Sequence, residues 1–274
     1  VPPAPAYLGL AALLALGVSG AAWRARALSA SGAGAAAFVG FCLFGFAGGR
    51  GAAALLLFFV TSSALSRVGK RRKDALAFEK GGERDAGQVL ANGGVAALCA
   101  AALPFVGPGS RPVVLAALLG ALATANADTW ATELGALARR PPVMLTTFKP
   151  APTGASGAVS GPGTLAALAG ALLIGAAALL WRPELGQSLV PAMGAATVGG
   201  FLGALFDSLL GATVQVQYRC AVCGKLTERH EHCGQPTEYA RGVRWLNNDA
   251  VNTLATLAGA AFAAGLYAVL ASGR

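Results

Sequence analysis

Apolar positions in this chain neither alternate nor recur at helical intervals between polar ones. They continue almost unbroken for the length of a bilayer crossing, and do so again and again. About 30 Å of hydrocarbon takes roughly 20 helical residues, and in lipid an open chain satisfies its backbone polar groups only as a helix. Such runs fall at about 6–22, 32–48, 50–68, 86–106, 112–138, 157–181, 188–213 and 246–271. The pattern predicts an all-α fold, a polytopic transmembrane bundle of about eight helices. The second and third runs are separated only by Gly48, Gly49, Arg50 and Gly51, which read as a tight turn. Arg24 and Arg26 follow the first run and no basic residue precedes it, so it is expected to be a span and not a cleaved signal.

Composition agrees. Only 12% of the 274 residues are charged and mean hydropathy is +0.60, where a soluble domain carries about 25% charged residues. The abundance of Ala and Gly suits close helix–helix approach in lipid, where packing replaces the hydrophobic effect.

A net charge of +9 could suggest nucleic acid, but the position of the bases points to a membrane surface. Of the 21 Lys and Arg residues, 17 fall in alternate inter-helix segments: Arg24 and Arg26, then Arg67 to Arg84, then Arg139 to Lys149, then Arg219 to Arg244. Only Arg50, Arg111, Arg182 and Arg274 lie on the other side. The positive-inside rule puts the rich segments in the cytoplasm and both termini outside. Of the acids, only Glu184 lies on the poor side. The expected organisation is a single transmembrane domain over 1–274, with a cytoplasmic Cys/His loop at 214–244 between the last two helices.

Ionisable groups within a bilayer are costly and mark function or interhelical pairing. The fifth run ends Thr124-Ala-Asn126-Ala-Asp128-Thr129-Trp130-Ala-Thr132-Glu133, with two carboxylates on the flanks of one groove. The seventh carries Gly199, Gly203, Asp207 and Gly211 at four-residue spacing. The eighth opens with Asn247, Asn248, Asp249 and Asn252, the last three on one face. Clustered carboxylates and amides are hard oxygen ligands, the set that suits Mg²⁺ carrying phosphates.

The intervening segments supply cations and backbone donors. Lys70, Arg71, Arg72 and Lys73 are read mainly as membrane anchors, with one or more able to neutralise a triphosphate. Arg84, Gln88 and Asn92 follow Gly81-Gly82, and the last two share a face of an entering helix. Thr153-Gly-Ala-Ser156-Gly157-Ala-Val-Ser160 opens the sixth run with free backbone N–H groups, a weak anion site that lacks the P-loop ending.

The last loop reads Cys220-Ala-Val-Cys223-Gly, then His230-Glu-His232-Cys233-Gly. Three Cys and one His would close a tetrahedral, structural Zn²⁺ site. Knuckle spacing favours His230, with His232 the competitor.

Five of these strings, in order, resemble a widespread family of polytopic membrane proteins. They are the segment from Gln88 to Gly93, that from Ala127 to Gly135, that from Gly154 to Ser160, that from Asp207 to Gln215, and that from Asn248 to Asn252. The family includes the chloroplast phytyl-phosphate kinase of tocopherol synthesis and bears a distant likeness to dolichol kinases and phosphatidate cytidylyltransferases. The resemblance implies a CTP-dependent kinase that turns an isoprenoid monophosphate into its diphosphate. On that reading Asp128, Glu133, Asp207 and Asp249 bind Mg²⁺, directly or through water. Asn92, Asn248 and Asn252 orient phosphates or the metal shell, and Arg84 neutralises charge. The expected partners are a membrane isoprenoid phosphate and a nucleoside triphosphate, CTP favoured, with no nucleic acid. The expected location is a prokaryotic plasma membrane. A lipid cytidylyltransferase or a lipid or ion transporter are the alternatives. The transporter fits less well, because the first three runs carry almost no polar residues. The cysteine knuckle departs from some relatives.

Overall fold

The computed structural model describes residues 3–69 and 83–272, so the predicted basic run Lys70 to Lys73 lies outside the described residues. Helix α1 (Pro5–Arg24) is followed by α2 (Ala30–Arg67), α3 (Ala86–Ala102), α4 (Arg111–Gly135), α5 (Gly161–Ala176), the single turn α6 (Arg182–Leu185), α7 (Leu189–Thr213) and α8 (Asn248–Ser272). Among the described residues six helical segments are long and apolar enough to cross a membrane. Two of them are far longer than a crossing requires. The 38-residue α2 is interrupted at Gly48, whose φ of 73° and ψ of −170° no helix contains. The 53-residue stretch from Gly161 to Thr213 is interrupted by 3-10 turns, α6 and Gly186 at φ 50°. Those breaks are where the hydropathy pattern predicts turns.

Helix starts differ at the two ends of the bundle. At the end that holds the sequence-predicted acids, α2, α3, α5 and α8 each begin with a side chain that accepts from a first-turn N–H. The pairs are Ser29 with Gly32 N, Asp85 with Gln88 N, Ser160 with Gly163 N, and Asn247 with Ala250 N. Such caps answer amide groups that a helix cannot satisfy itself. At the other end α1 and α4 begin with proline at N1 or N2 and no capping side chain. That opposite end is tied by charge. Glu184 takes Arg50 on one carboxylate oxygen and Arg111 Nε at 3.4 Å on the other, so the one acid on the poor side is paired with two of its four bases.

The centre is a seam among α4, α7 and α8 built on absent side chains. A Cβ on Gly199 would stand 2.6 Å from Ala263 N, one on Gly120 2.7 Å from Gly259 O, and one on Gly203 3.0 Å from Ala255 O; one on Gly259 would strike Thr124 Oγ1. Backbones approach this closely only where both helices lack bulk. Gly199→Leu is therefore expected to lower the melting temperature in detergent sharply and to broaden the gel-filtration peak. Gly9→Leu, where nothing lies within 4 Å, should do neither; equal behaviour of the two would refute the seam.

The all-α expectation is corrected in the segment 214–244. It forms a four-stranded antiparallel sheet in the order β4-β3-β6-β5, from β3 (Gln217–Cys220), β4 (Leu226–Thr227), β5 (Glu231–His232) and β6 (Gln235–Arg241). Two-residue strands and the largely exposed, polar β6 leave no alternating pattern to read. Arg241 fastens the sheet to the bundle. Its Nη1 donates to Ala212 O (2.9 Å), its Nη2 to Gly211 O (3.4 Å) and its Nε to Gln217 Oε1 (2.9 Å), so it caps the C-terminus of α7. A second pairing, β1 (Val143–Met144) with β2 (Ala158–Val159), closes the loop between α4 and α5.

Candidate functional site

The glycine seam sets the level of the acids. Thr124, Gly203 and Ala255 meet in it. One turn further toward the capped end, the same faces of α4, α7 and α8 carry Asp128, Asp207 and Asn252. Three helices thus bring two carboxylates and an amide to one depth. Both carboxylates are half-buried and engaged. Asn252 is buried, and its Oδ1 has no hydrogen-bond partner among the described residues. A buried unsatisfied oxygen is expensive, which leaves it an acceptor available to a ligand.

Glu133 faces another way. It lies five residues beyond Asp128, and its Oε1 accepts from Ser66 of α2 at 2.5 Å. One turn up the same flank, Ser62 donates to Asn126 Oδ1 at 3.2 Å and Asn126 Nδ2 donates to Gly170 O at 2.8 Å. Asn126 is completely buried and its bonds join α2, α4 and α5, a structural tie worth roughly 0.6 kcal/mol per bond. The serines at 62 and 66 are the site-side residues that sequence reasoning missed. Ser62 and Ser66, four apart on one face among the hydroxyls Thr61, Ser62, Ser63 and Ser66 that close the run, were the available signal.

Arg84 sits within electrostatic reach of Glu133. Burial lowers the proton affinity of its guanidinium and the Glu133 carboxylate raises it; the group stays charged. Its backbone is fixed on both sides, with Arg84 N donating to Ala27 O at 3.2 Å and Arg84 O accepting from Ser29 N at 3.0 Å. Asp249 occupies the first turn of α8, hard against the Cα of Gly87. Any Cβ there would collide with its carboxylate, and Asp85 lies beside it. Gln88 and Asn92 continue up α3, joined by Asn92 Nδ2 to Gln88 O at 2.9 Å. Asn248 is half-buried at the start of α8.

The loop before α5 has structural duties that the sequence did not foretell. Gly157, at φ 79°, packs on Ala212 so tightly that a side chain would overlap it. Ser156 Oγ donates to Glu228 Oε1 at 2.6 Å, and Ser160 is the cap of α5. The loop nonetheless abuts Gly211, one turn beyond Asp207.

The Cys/His cluster lies in the sheet and its turns. Ligand atoms of Cys220, Cys223, His232 and Cys233 all fall within 4.8 Å of one another, a set that could bind a metal such as zinc. His232 Nδ1 is 3.5 Å from Cys223 Sγ and 3.2 Å from Cys233 Sγ. The preference for His230 is corrected: His232 joins the cysteines, while the His230 ring packs at a tilt against Tyr218 with centroids 4.5 Å apart. Gly224 and Gly234 follow their cysteines at φ 71° and 72°, the left-handed geometry each knuckle requires. The backbone amide of Cys223, with a further bond from His232, pulls the Cys220 thiol down to about 6. Burial and then the neighbouring sulfurs push Cys233 up to about 11. Three sulfurs this close do not share three negative charges without a cation among them.

A family model described as integral membrane protein DUF92 matches residues 13–260. Protein PGR of Arabidopsis thaliana is 35% identical over 86% of this chain and 87% of its own length. An uncharacterised membrane protein of Methanocaldococcus jannaschii is 32% identical over 90% and 89% respectively. Protein VTE6, chloroplastic, of Arabidopsis thaliana is 26% identical over 83% of this chain and 61% of its own length. No solved structure matches the chain significantly.

Proposed function

This chain belongs to the DUF92 family of integral membrane proteins, and from that premise we propose that it is a CTP-dependent kinase acting on an isoprenoid monophosphate at the cytoplasmic membrane face. The observation that carries the reading is the meeting of Asp128, Asp207 and Asn252 from three helices at one depth, with Asp249 one turn before Asn252 on α8 and Arg84 just ahead of α3. Charged groups are costly at that depth unless they serve a ligand.

The donors suit Mg²⁺. Asp128, Glu133, Asp207 and Asp249 would hold it directly or through water, and the orphaned Asn252 Oδ1 is an oxygen of the same hard kind. Held there, such an ion would supply charge neutralisation to the phosphates. The side chains do the positioning. Arg84 neutralises phosphate charge, and one or more of Lys70, Arg71, Arg72 and Lys73 holds the triphosphate. Gln88, Asn92, Asn248 and Asn252 orient phosphate oxygens, and the backbone amides of Ser156 and Gly157 lie at the margin. An oxygen of the lipid monophosphate attacks the γ-phosphorus of CTP. The bond from that phosphorus to the β,γ-bridging oxygen breaks, and CDP leaves with the electron pair. No general base is needed, because the attacking phosphate is already anionic.

The breaks at Gly48 and at residues 182–188 turn six long segments into eight crossings. Both termini then lie outside and 17 of 21 bases on the cytoplasmic side, in the plasma membrane of a prokaryote. The test incubates purified protein in detergent with labelled CTP, Mg²⁺ and a panel of prenyl monophosphates. The expected products are a prenyl diphosphate and CDP. Release of pyrophosphate would establish a cytidylyltransferase instead, and unconsumed CTP would sink the kinase reading.

A further inference from the structure

A cavity of about 290 Å³ opens between α1, both halves of α2, and α3. Val18, Val39, Phe44, Leu55, Phe59 and Val89 are among its walls, and among the described residues its one charged lining residue is Arg84. We propose that this chamber holds the hydrocarbon tail of a single-chain isoprenoid monophosphate, whose phosphate rests on Arg84, Gln88 and Asn92. The proposal rests on the kinase reading and names where its lipid substrate sits.

A crevice that merely held bulk lipid would be apolar from end to end. This one has a polar end. Arg84 stands where α2 and α3 begin, and Gln88 and Asn92 follow one and two turns up α3 along the same wall. The Arg84 guanidinium lies 5.9 Å from the centroid of the Phe59 ring and makes no side-chain hydrogen bond among the described residues. A pinned cation with spare donors above an apolar shaft matches an anionic headgroup on one greasy chain. The shaft runs from Leu28 beside that headgroup end to Phe44, one turn short of the break at Gly48. It therefore crosses most of the membrane depth and favours a long tail over a five-carbon one. The first turn of α3 separates it from the acids. Gln88 faces the chamber, while Gly87 faces the Asp249 carboxylate, so a phosphate held at Arg84 is presented to the acid-bearing groove.

The test uses the full chain in phospholipid nanodiscs and a geranylgeranyl monophosphate with a diazirine at its tail end. After irradiation, labelled peptides should map to chamber residues near Phe44 and Ala52, with labelling cut at least tenfold by unlabelled geranylgeranyl monophosphate. Ala36→Trp, which fills the chamber, and Arg84→Gln should each cut labelling at least tenfold; Phe38→Trp, outside the lining, should not. Labels scattered over outward residues such as Leu13 and Leu98, or equal labelling of the chamber by a diazirine phosphatidylcholine, would overturn the proposal. Normal labelling with Arg84→Gln would do so too, whether or not Ala36→Trp folds. Labelling needs neither nucleotide nor turnover, so its failure is distinct from failure of the kinase assay.

Discussion

Asp207→Asn and Asp128→Asn are each expected to lower CTP-dependent phosphorylation by about 10²–10³-fold while leaving the melting temperature nearly unchanged. Each change removes one formal charge and keeps the shape, so the helix seam one turn away, where Gly203 meets Thr124 and Ala255, is undisturbed. The lost charge matters most when a metal and a triphosphate arrive. Metal-assisted charge neutralisation supplies several kcal/mol of transition-state stabilisation, and each 1.36 kcal/mol is about a factor of ten. Asn126→Ala serves as the contrast. That residue is polar and completely buried on the same helix, yet its amide is spent on Ser62 and Gly170. Its loss should show as a lower melting temperature, with the surviving folded fraction still active. Steady-state rates with a prenyl monophosphate, read beside melting curves, separate the two behaviours. Full activity in both aspartate variants would remove the acids from the mechanism.

The spans were legible because a bilayer demands continuous apolar runs and punishes exceptions. For the same reason Gly48 and the charges around residue 184 were visible as breaks. The level shared by Asp128 and Asp207 was legible only in outline. Four-residue spacing gives each face, but the facing helix becomes known only when Gly203 and Ala255 are seen to touch. Ser62 and Ser66 were hidden because a hydroxyl in an apolar helix usually satisfies itself on the preceding turn. The tail chamber was invisible, since Val39 and Phe59 carry no chemistry until several helices surround an empty space. The choice between His230 and His232 failed for a related reason. Knuckle spacing counts along the chain, whereas which histidine joins the cysteines is set across the sheet. On β3, Tyr218 and Cys220 are two apart on one face; His230 meets the first and His232 the second.

Cys220→Ser is expected to abolish stoichiometric zinc binding, as is His232→Ala, while His230→Ala keeps the metal. The sheet has little else to hold it. Its strands are only two to seven residues long, and such small sheets are marginal alone. A closed zinc site contributes folding free energy directly. Cys220 is the cysteine of the cluster that sits on a strand, buried at 1% exposure, and its thiol is the one already drawn toward the thiolate. Metal analysis of purified protein reads the first effect, and limited proteolysis within 221–240 reads the second: the variant should be cut at least tenfold faster, while the melting of the helical bundle barely moves. The consequence for chemistry follows from Arg241, which grips Ala212 and Gly211 one turn beyond Asp207. A loosened sheet releases that grip, so kinase activity should fall through a higher KM for the nucleotide before kcat changes. Zinc content unchanged in Cys220→Ser would overturn the ligand assignment. Zinc lost with unchanged proteolysis would leave the cluster a metal site without a bracing role.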